Sequence, residues 1–519
     1  MKGPYDISNA RETLTCYSGL YASEAHVFAP ANVDELRRVL AYAQACKKRV
    51  TFRAGGHSFD GQALGDDVVV SLAAMRTIEV LTSGDTPLVR VGPGATWGDI
   101  LAAVEPLGLV PAITVTTAKA TAGGTLSGDC LSRFSPAYGK EGTWIASFDL
   151  LTVDGRLLRC VPPPKGVPFA ALPLEQRAFC GVIGGLGYLG AVVSITYELL
   201  RVGQTNAQIG VATSVRKFRT FRELAKDLVP TAKKTEAEHS TPEDEAKLDA
   251  IYSALYVGPK GEPYALLFKS HFTKDPNRRR MALHQPELAA RPIVEWAMRV
   301  DGIAQRAWPL FFDLVYRDGE QYIDDLEGFT FFMDGNARSK TLATRFGVHL
   351  RTVQQTFIVP SAPGAAGGWD ETEDDLVEWL DYAAKLFRER GLHPTLHDVL
   401  YLPADGRFLM SATADLAGFA VSYAFETNDD DKIERIKATF SEMADELWKT
   451  FSGRVYLVKN VCAEQATLRA MYGANAVDFF ALKRELDPQL VLRNHFLERT
   501  FGDFLTAPVA GAPRPVDAA

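Results

Sequence analysis

The sequence predicts an α+β protein built from at least two domains, and three observations carry that prediction. At 519 residues the chain is too long for one ordinary core. Its first 200 residues alternate helix and strand signals. From about residue 345, strand-like runs return with long helical patterns standing apart from them, which is the α+β arrangement.

The first helix is expected in A-N-V-D-E-L-R-R-V-L-A-Y-A. Asn32 is a candidate N-cap with Glu35 three residues on, and Leu36, Val39, Leu40 and Ala43 follow at helical spacing. R-V-T-F-R then reads as a strand entering a turn at Gly55 and Gly56. D-V-V-V-S-L and P-L-V-R-V-G-P-G read as the next two strands. T-W-G-D-I-L-A-A-V-E-P-L-G is a short helix closed by Gly108, and S-F-D-L-L-T-V-D-G and G-A-V-V-S-I-T-Y-E-L are later strands. Around residue 202 the texture changes. The stretch from about 215 to 300 is rich in charge and helix formers, and K-K-T-E-A-E-H-S-T-P-E-D-E-A-K reads as a solvated helix face or loop. After 345 come strand-like H-L-R-T-V-Q-Q-T-F-I-V-P, F-L-M-S-A-T-A and F-A-V-S-Y-A-F, with helical D-D-L-V-E-W-L-D-Y-A-A-K-L-F-R-E-R-G between them.

Composition narrows the classes. A formal net charge of -8 argues for a soluble protein and against nucleic-acid binding. There is no apolar run of about 18 residues, so no integral membrane segment is expected. The N-terminus lacks the apolar stretch of a secretory signal. The six cysteines show no CxxC pair and no metal-ligand spacing, so no metal is expected and the thiols read as reduced, in a cytoplasmic protein. The Pro/Ala-rich C-terminal tail is expected to fray.

Three Gly-rich segments carry the chemistry. The first is Gly55-Gly56-His57-Ser58 after a strand, where paired glycines let backbone N–H groups approach a pyrophosphate. The second is A-G-G-T-L-S-G-D-C, with Gly123, Gly124 and Gly128. The third, V-I-G-G-L-G-Y-L-G, contains Gly187 and looks like a GxGxxG string. It is followed by strand-like V-V-S-I-T, where a Rossmann site requires a helix, so a nicotinamide reading fails on context.

In this order the segments, with V-G-P-G-A-T-W-G-D-I between them, resemble the vanillyl-alcohol-oxidase family over residues 20 to 200. The resemblance implies a two-domain FAD-binding fold of the p-cresol-methylhydroxylase type with an inserted antiparallel-sheet substrate domain. It divides the chain into an FAD-binding domain (1–201), a substrate domain (202–465) and a C-terminal return to the first (466–519). FAD is the implied cofactor, held by Arg53, Ala54, Gly55, Gly56, His57, Ser58, Gln62, Thr121, Gly123, Gly124, Gly128, Gly187 and Asn494. His57 stands where many members bond the flavin covalently; such a link would raise the flavin potential and fix the ring. The competing reading of His57 is a loop histidine bonded to backbone. Some relatives add a cysteine link near the position of Thr121. Cys130 lies several residues later and is expected to pack against the flavin or substrate.

The C-terminal strings G-R-V-Y-L-V-K-N and M-Y-G-A-N-A-V-D-F-F, with F-F-M-D-G-N and F-I-V-P, resemble the carbohydrate-oxidising branch: decaprenylphosphoryl-ribose, alditol and aldonolactone oxidases. There the lysine equivalent to Lys459 points at flavin and substrate hydroxyl, against the simpler reading of a surface lysine on a strand. Strand alternation would send Asn460 to the other face. Gln354 and Tyr401 complete the expected catalytic set; relatives often carry a glutamate near Gln354 and the phosphoribose enzymes a lysine near Tyr401. Cys130, Thr356, His397 and Ser422 are the expected substrate contacts, with His397 equally readable as a packed strand histidine. The resemblance implies oxidation of a CH–OH group of a polyol, sugar or related small molecule, with O2 or another electron acceptor. An acceptor-dependent sugar dehydrogenase and a non-catalytic binding protein are the alternatives. The sequence leaves the oligomeric state open.

Overall fold

The computed structural model describes residues 11–202, 208–239, 247–258, 261–273, 317–334, 350–361, 370–413 and 416–506. The extreme N-terminus (1–10), the second half of the long charged run (240–246), Gly335 and Asn336 of F-F-M-D-G-N, and the Pro/Ala-rich tail after 506 lie outside them.

Three sheets organise the described residues. The first has the order β1-β2-β4-β3, from β1 (Glu12–Thr15), β2 (Ala22–Phe28), β3 (Val50–Arg53) and β4 (Val68–Ser71). Helix α1 (Val33–Ala45) crosses from β2 to β3, and β4 then inserts parallel to both. As expected, Asn32 caps α1: its side chain accepts from the Glu35 amide at 3.0 Å. Leu36, Val39, Leu40 and Ala43 form the buried stripe, packed on Val50, Val68 and Val70.

The second sheet runs β5-β6-β10-β8-β9, from β5 (Ile78–Leu81), β6 (Leu88–Val91), β8 (Ile145–Leu151), β9 (Leu157–Cys160) and β10 (Ala191–Arg201); β7 (Leu109–Pro111) also pairs with β10. Helix α2 (Trp97–Val104) runs into a tight turn that Gly108 closes at φ +71°. The Gly-rich A-G-G-T-L-S-G segment is a helix, α3 (Ala122–Gly128). Its glycines are there for approach: a Cβ on Gly123 would sit 2.7 Å from the Pro93 side chain. Helices α4 (Ser135–Tyr138) and α5 (Leu174–Val182) follow. The G-G-L-G-Y-L-G run leads straight into β10, the strand that excluded a Rossmann site.

The third sheet has eight strands among the described residues, in the order β14-β11-β13-β12-β16-β17-β15-β18, every pairing antiparallel. They are β11 (Gly210–Phe218), β12 (Ala250–Val257), β13 (Pro263–Thr273), β14 (Gln321–Asp325), β15 (Arg351–Pro360), β16 (Leu396–Leu402), β17 (Gly418–Thr427) and β18 (Arg454–Val455). Strands β12 and β13, and the end of β11, fall in the segment that reads as charged and helical, where α6 (Phe221–His239) meets that expectation among the described residues. Helices α6, α8 (Asp370–Glu389) and α9 (Asp430–Phe451) cover one face of the sheet, while the short α7 (Leu326–Thr330) follows β14. On the other face Tyr252, Ile358, Leu400 and Ala420 meet Leu131 and Val458. This face looks back toward the first two sheets.

The chain then returns. Helix α10 (Gln465–Leu486) is broken at Gly473 (φ +42°) and ends at Asp487. Beyond it Val491 accepts from the Val50 amide at 2.8 Å and Leu492 bridges Val50, which extends the first sheet. Asp487 organises the bend by accepting from the amides of Val491 and Leu492, both at 2.8 Å, and from Lys483 Nζ at 2.6 Å. Helix α11 (His495–Thr506) closes the described fold. No described helix is long and apolar enough to cross a membrane.

Candidate active site

A cavity of about 310 Å³ lies between the second sheet and the open face of the third. One end is built by the loop after β3. Gly56 turns there at φ +69°, with the Arg53 guanidinium lying where its side chain would be. His57 follows, its Nδ1 2.9 Å from the Gly55 carbonyl and its ring stacked on Tyr17 at 5.2 Å. Burial lowers the imidazole pKa, so the ring is neutral at ordinary pH. The Gly55 amide donates to Thr121 Oγ1 at 3.1 Å, tying the loop to the start of α3. Ser58 Oγ is buried with no hydrogen-bond partner among the described residues. Gly187, at φ +81°, has nothing within 4 Å of where a Cβ would stand. This wall of exposed backbone, with an orphaned hydroxyl and a left-handed glycine, fits an extended anionic cofactor such as FAD.

The same loop carries the other end of the site. Gln62 Nε2 donates to the Leu457 carbonyl at 2.9 Å and to the Lys459 carbonyl at 3.0 Å. Asn460 Nδ2 donates to Phe59 O at 2.9 Å, and Asn460 Oδ1 accepts from the Gln354 amide at 2.8 Å. Lys459 therefore sits on a turn beyond β18 rather than on a strand, so strand alternation is not what directs Asn460 away from the cavity. The Lys459 ammonium lies 4.1 Å from the Phe59 ring centroid, and burial lowers its pKa despite the nearby Asp398. No ion pair holds it among the described residues.

The third sheet supplies the polar floor. Asp398, Ser422 and Thr356 are cross-strand neighbours on β16, β17 and β15, with the two hydroxyls 2.8 Å apart. Gln354 lies two residues from Thr356 on the same face. Tyr252, Phe332 and Arg133 make an aromatic and cationic side wall; the guanidinium carbon stands 3.4 Å from the Phe332 centroid and 4.6 Å from that of Tyr252. Cys130 also lines the cavity; burial and Glu141 push its thiol pKa up, so it stays a thiol.

Seventeen of the twenty residues expected from the sequence line this one cavity: Arg53, Ala54, Gly55, Gly56, His57, Ser58, Gln62, Thr121, Gly123, Gly124, Gly128, Cys130, Gly187, Gln354, Thr356, Ser422 and Lys459. Three do not. Tyr401 and His397 point to the helix-covered face of the sheet, because they differ by an odd step from Asp398 and Leu400 on β16. Tyr401 donates to Glu236 of α6. His397 packs on Tyr423, ring centroids 4.4 Å apart, and burial drives its pKa down to about 3. Asn494 does not line the cavity: its Nδ2 clamps the carbonyls of Gly61, Gln62 and Leu64, its Oδ1 accepts from the Tyr188 hydroxyl. Sequence reasoning missed Asp398, Arg133, Tyr252, Phe332 and Tyr17. Only Asp398 had a signal, the parity of H-D-V-L-Y-L, and apolar residues on both sides of that strand concealed it.

Residues 25–161 match the FAD binding domain family. That match covers the first part of the chain, the part that carries the His57 loop and α3. Cytokinin dehydrogenase 5 of Arabidopsis thaliana is 29% identical over 203 residues, which is 38% of this chain and 35% of the relative. Cytokinin dehydrogenase 1 of Oryza sativa subsp. japonica is 25% identical over 259 residues, 49% of this chain and 44% of the relative. L-gulonolactone oxidase of Bos taurus is 26% identical over 251 residues, 48% of this chain and 49% of the relative. The chain thus spans about half or less of the length of these curated relatives. The shared sequence is similar to FAD binding domains, and the His57 loop that lines the cavity lies within the matched residues.

Proposed function

We propose that this chain oxidises a CH–OH group of a polyol, sugar or related metabolite, with FAD carried covalently on His57 and O2 as electron acceptor. One observation carries the proposal: the His57 loop, Lys459 and the hydroxyl row Thr356–Ser422 all open into one cavity. FAD, when bound, supplies a two-electron acceptor for hydride from the carbinol carbon. The chain's own residues do the rest. A neutral His57 keeps a nucleophilic nitrogen for attachment, and stacking on Tyr17 restrains the ring. The Gln62 side chain fixes the backbone of the Lys459 turn. From there the ammonium can hydrogen-bond oxygen that gains negative charge during oxidation, in a site screened from water. The hydroxyls of Thr356 and Ser422 orient a substrate hydroxyl. A small-residue wall on one side and Tyr252 and Phe332 on the other leave room for a flat or cyclic body.

The similarity to L-gulonolactone oxidase supports a sugar-like alcohol and an oxidase. A second reading, a dehydrogenase with another acceptor, draws on the relatives named dehydrogenases. Acid denaturation of the purified protein tests the attachment: yellow colour should stay with the polypeptide and leave it in His57→Ala. The holoenzyme is then offered polyols, sugars, aldonolactones and aromatic alcohols. Flavin bleaching with hydrogen peroxide release is the expected result, and bleaching without peroxide selects the dehydrogenase. Lys459→Ala should slow bleaching more than it lowers FAD content. If no alcohol bleaches the flavin, the CH–OH proposal is wrong.

A further inference from the structure

The cavity holds one carboxylate that the reading above does not use. Asp398 sits on β16 in the same cross-strand row as Ser422 and Thr356. The Ser422 hydroxyl interacts with this carboxylate, but its Oδ1 is sealed from solvent and has no hydrogen-bond partner among the described residues. A buried acceptor without a donor is costly, and such groups persist where a ligand completes them. We infer that Asp398 accepts the hydroxyl proton of the alcohol at this site, with the row Ser422–Thr356 fixing the hydroxyl and Lys459 holding the oxygen.

The inference rests on the proposed alcohol oxidation. The other polar groups of the cavity fail as proton acceptors for separate reasons. Lys459 is a cation until it loses its own proton, the Gln354 amide does not titrate, and the Cys130 thiol is held protonated. His397 faces the opposite side of the sheet. The charged and titratable groups packed around Asp398 are Lys459 from the turn after β18, Arg133 from the segment after α3, and Tyr252 from β12. Burial raises its pKa to about 6 against the opposing pull of the Ser422 hydroxyl and the two cations, a value suited to a base working near neutral pH. In the step, the substrate O–H bond breaks, and its electron pair becomes the second bond of the carbonyl. The proton forms an O–H bond on Asp398, and FAD, held along the His57 loop when bound, would supply the acceptor for the carbon's hydride and its two electrons. Atoms and charge balance with no further reagent.

The test uses full-length holoenzyme of the parent, Asp398→Asn and Asp398→Glu. Anaerobic flavin bleaching by the fastest alcohol of the panel is followed as a function of pH. Infrared spectra of the resting enzymes, without substrate, report the protonated carboxyl. The parent rate should rise as pH passes about 6. Asp398→Asn should bleach on the order of 100- to 10,000-fold more slowly without that rise, at unchanged FAD content. It should also lack a carboxylic-acid band that the parent loses between acid and neutral pH. Asp398→Glu should keep the band and an intermediate rate, which serves if the asparagine variant does not fold. Asp398→Asn bleaching within about threefold of the parent, with the acid limb intact, would overturn the assignment, as would a parent with no titrating band. A parent flavin that no alcohol bleaches marks failure of the underlying reading, and the assignment falls with it.

Discussion

Replacing Asn494 with alanine should loosen the His57 loop from a distance. The side chain is 2% exposed and works in two directions. Its Nδ2 donates to the carbonyls of Gly61, Gln62 and Leu64 at 3.1, 3.1 and 2.8 Å. Its Oδ1 accepts from the Tyr188 hydroxyl at 2.8 Å and from the Leu497 amide at 3.1 Å, the latter capping α11. Two N–H donors shared among three carbonyls, plus two bonds accepted, amount to about four net hydrogen bonds at roughly 1 kcal/mol each. The buried Tyr188 hydroxyl and Gly61–Leu64 carbonyls lose their partner, so the loss should be on the order of 4 kcal/mol. For a domain of this size that lowers the melting temperature by on the order of 10 °C. Because Gln62 also holds the Lys459 turn, the rise in flavin fluorescence that reports exposure of the attached FAD should begin below the main transition. Asn494→Asp separates clamp from cap: the carboxylate can still accept from Leu497 and Tyr188 but faces three carbonyls with no donor. It should melt no higher than the alanine variant. An aspartate variant that melts like the parent would refute the clamp and leave only the helix cap.

Two further outcomes follow from the burial pattern. Glu141 accepts from Thr125 Oγ1 at 2.9 Å and Tyr197 OH at 2.6 Å, and burial raises its pKa to about 8. The folded state therefore holds a proton that the unfolded state releases near the ordinary carboxyl value. This contribution is full below that value and is lost as pH rises through about 8, at up to about 1.4 kcal/mol per pH unit. Glu141→Gln should flatten the decline in urea stability between pH 5.5 and 8.5, and parallel profiles for the two proteins would count against a buried neutral acid. Tyr401→Phe should leave the flavin-bleaching rate within about twofold and cost only about 1 kcal/mol, from the lost bond to Glu236; a large rate loss would put Tyr401 back in the site.

The legible parts of the fold are those fixed by local chemistry. The Asn32 cap, the α1 stripe and the Gly108 stop need only a few neighbouring residues, and each stands as the sequence indicates. What was illegible depends on long-range pairing. Strands β12, β13 and the end of β11 lie in a charged stretch and are strands because they pair with one another and with β14 and β16. In the site, the residues contributed by loops and glycine turns were readable, because backbone approach to a cofactor demands particular residue types. The side chains on the third sheet were not. On β16 both faces are buried, one under helices and one over the cavity, so hydrophobicity does not tell His397 and Tyr401 from Asp398 and Leu400.

That double burial also bears on why Lys459 and Asp398 occur together. Desolvation is the leading influence on both, lowering the lysine pKa and raising the aspartate pKa, and each partly offsets the other's shift. No ion pair joins them among the described residues, so the pair is not arranged to recover its desolvation cost through direct contact. An apolar pair of similar volume would serve the fold better at this position. Two opposite charges held apart across a cavity are most useful where a ligand completes them, with an oxygen turned to the cation and a proton to the carboxylate. The Gln62 bridge and the Asp398–Ser422–Thr356 row are then the means by which the fold keeps them apart. Replacing both at once, Lys459→Met with Asp398→Leu, should therefore raise stability to urea as it lowers the oxidation rate, and a double variant less stable than the parent would count against this account.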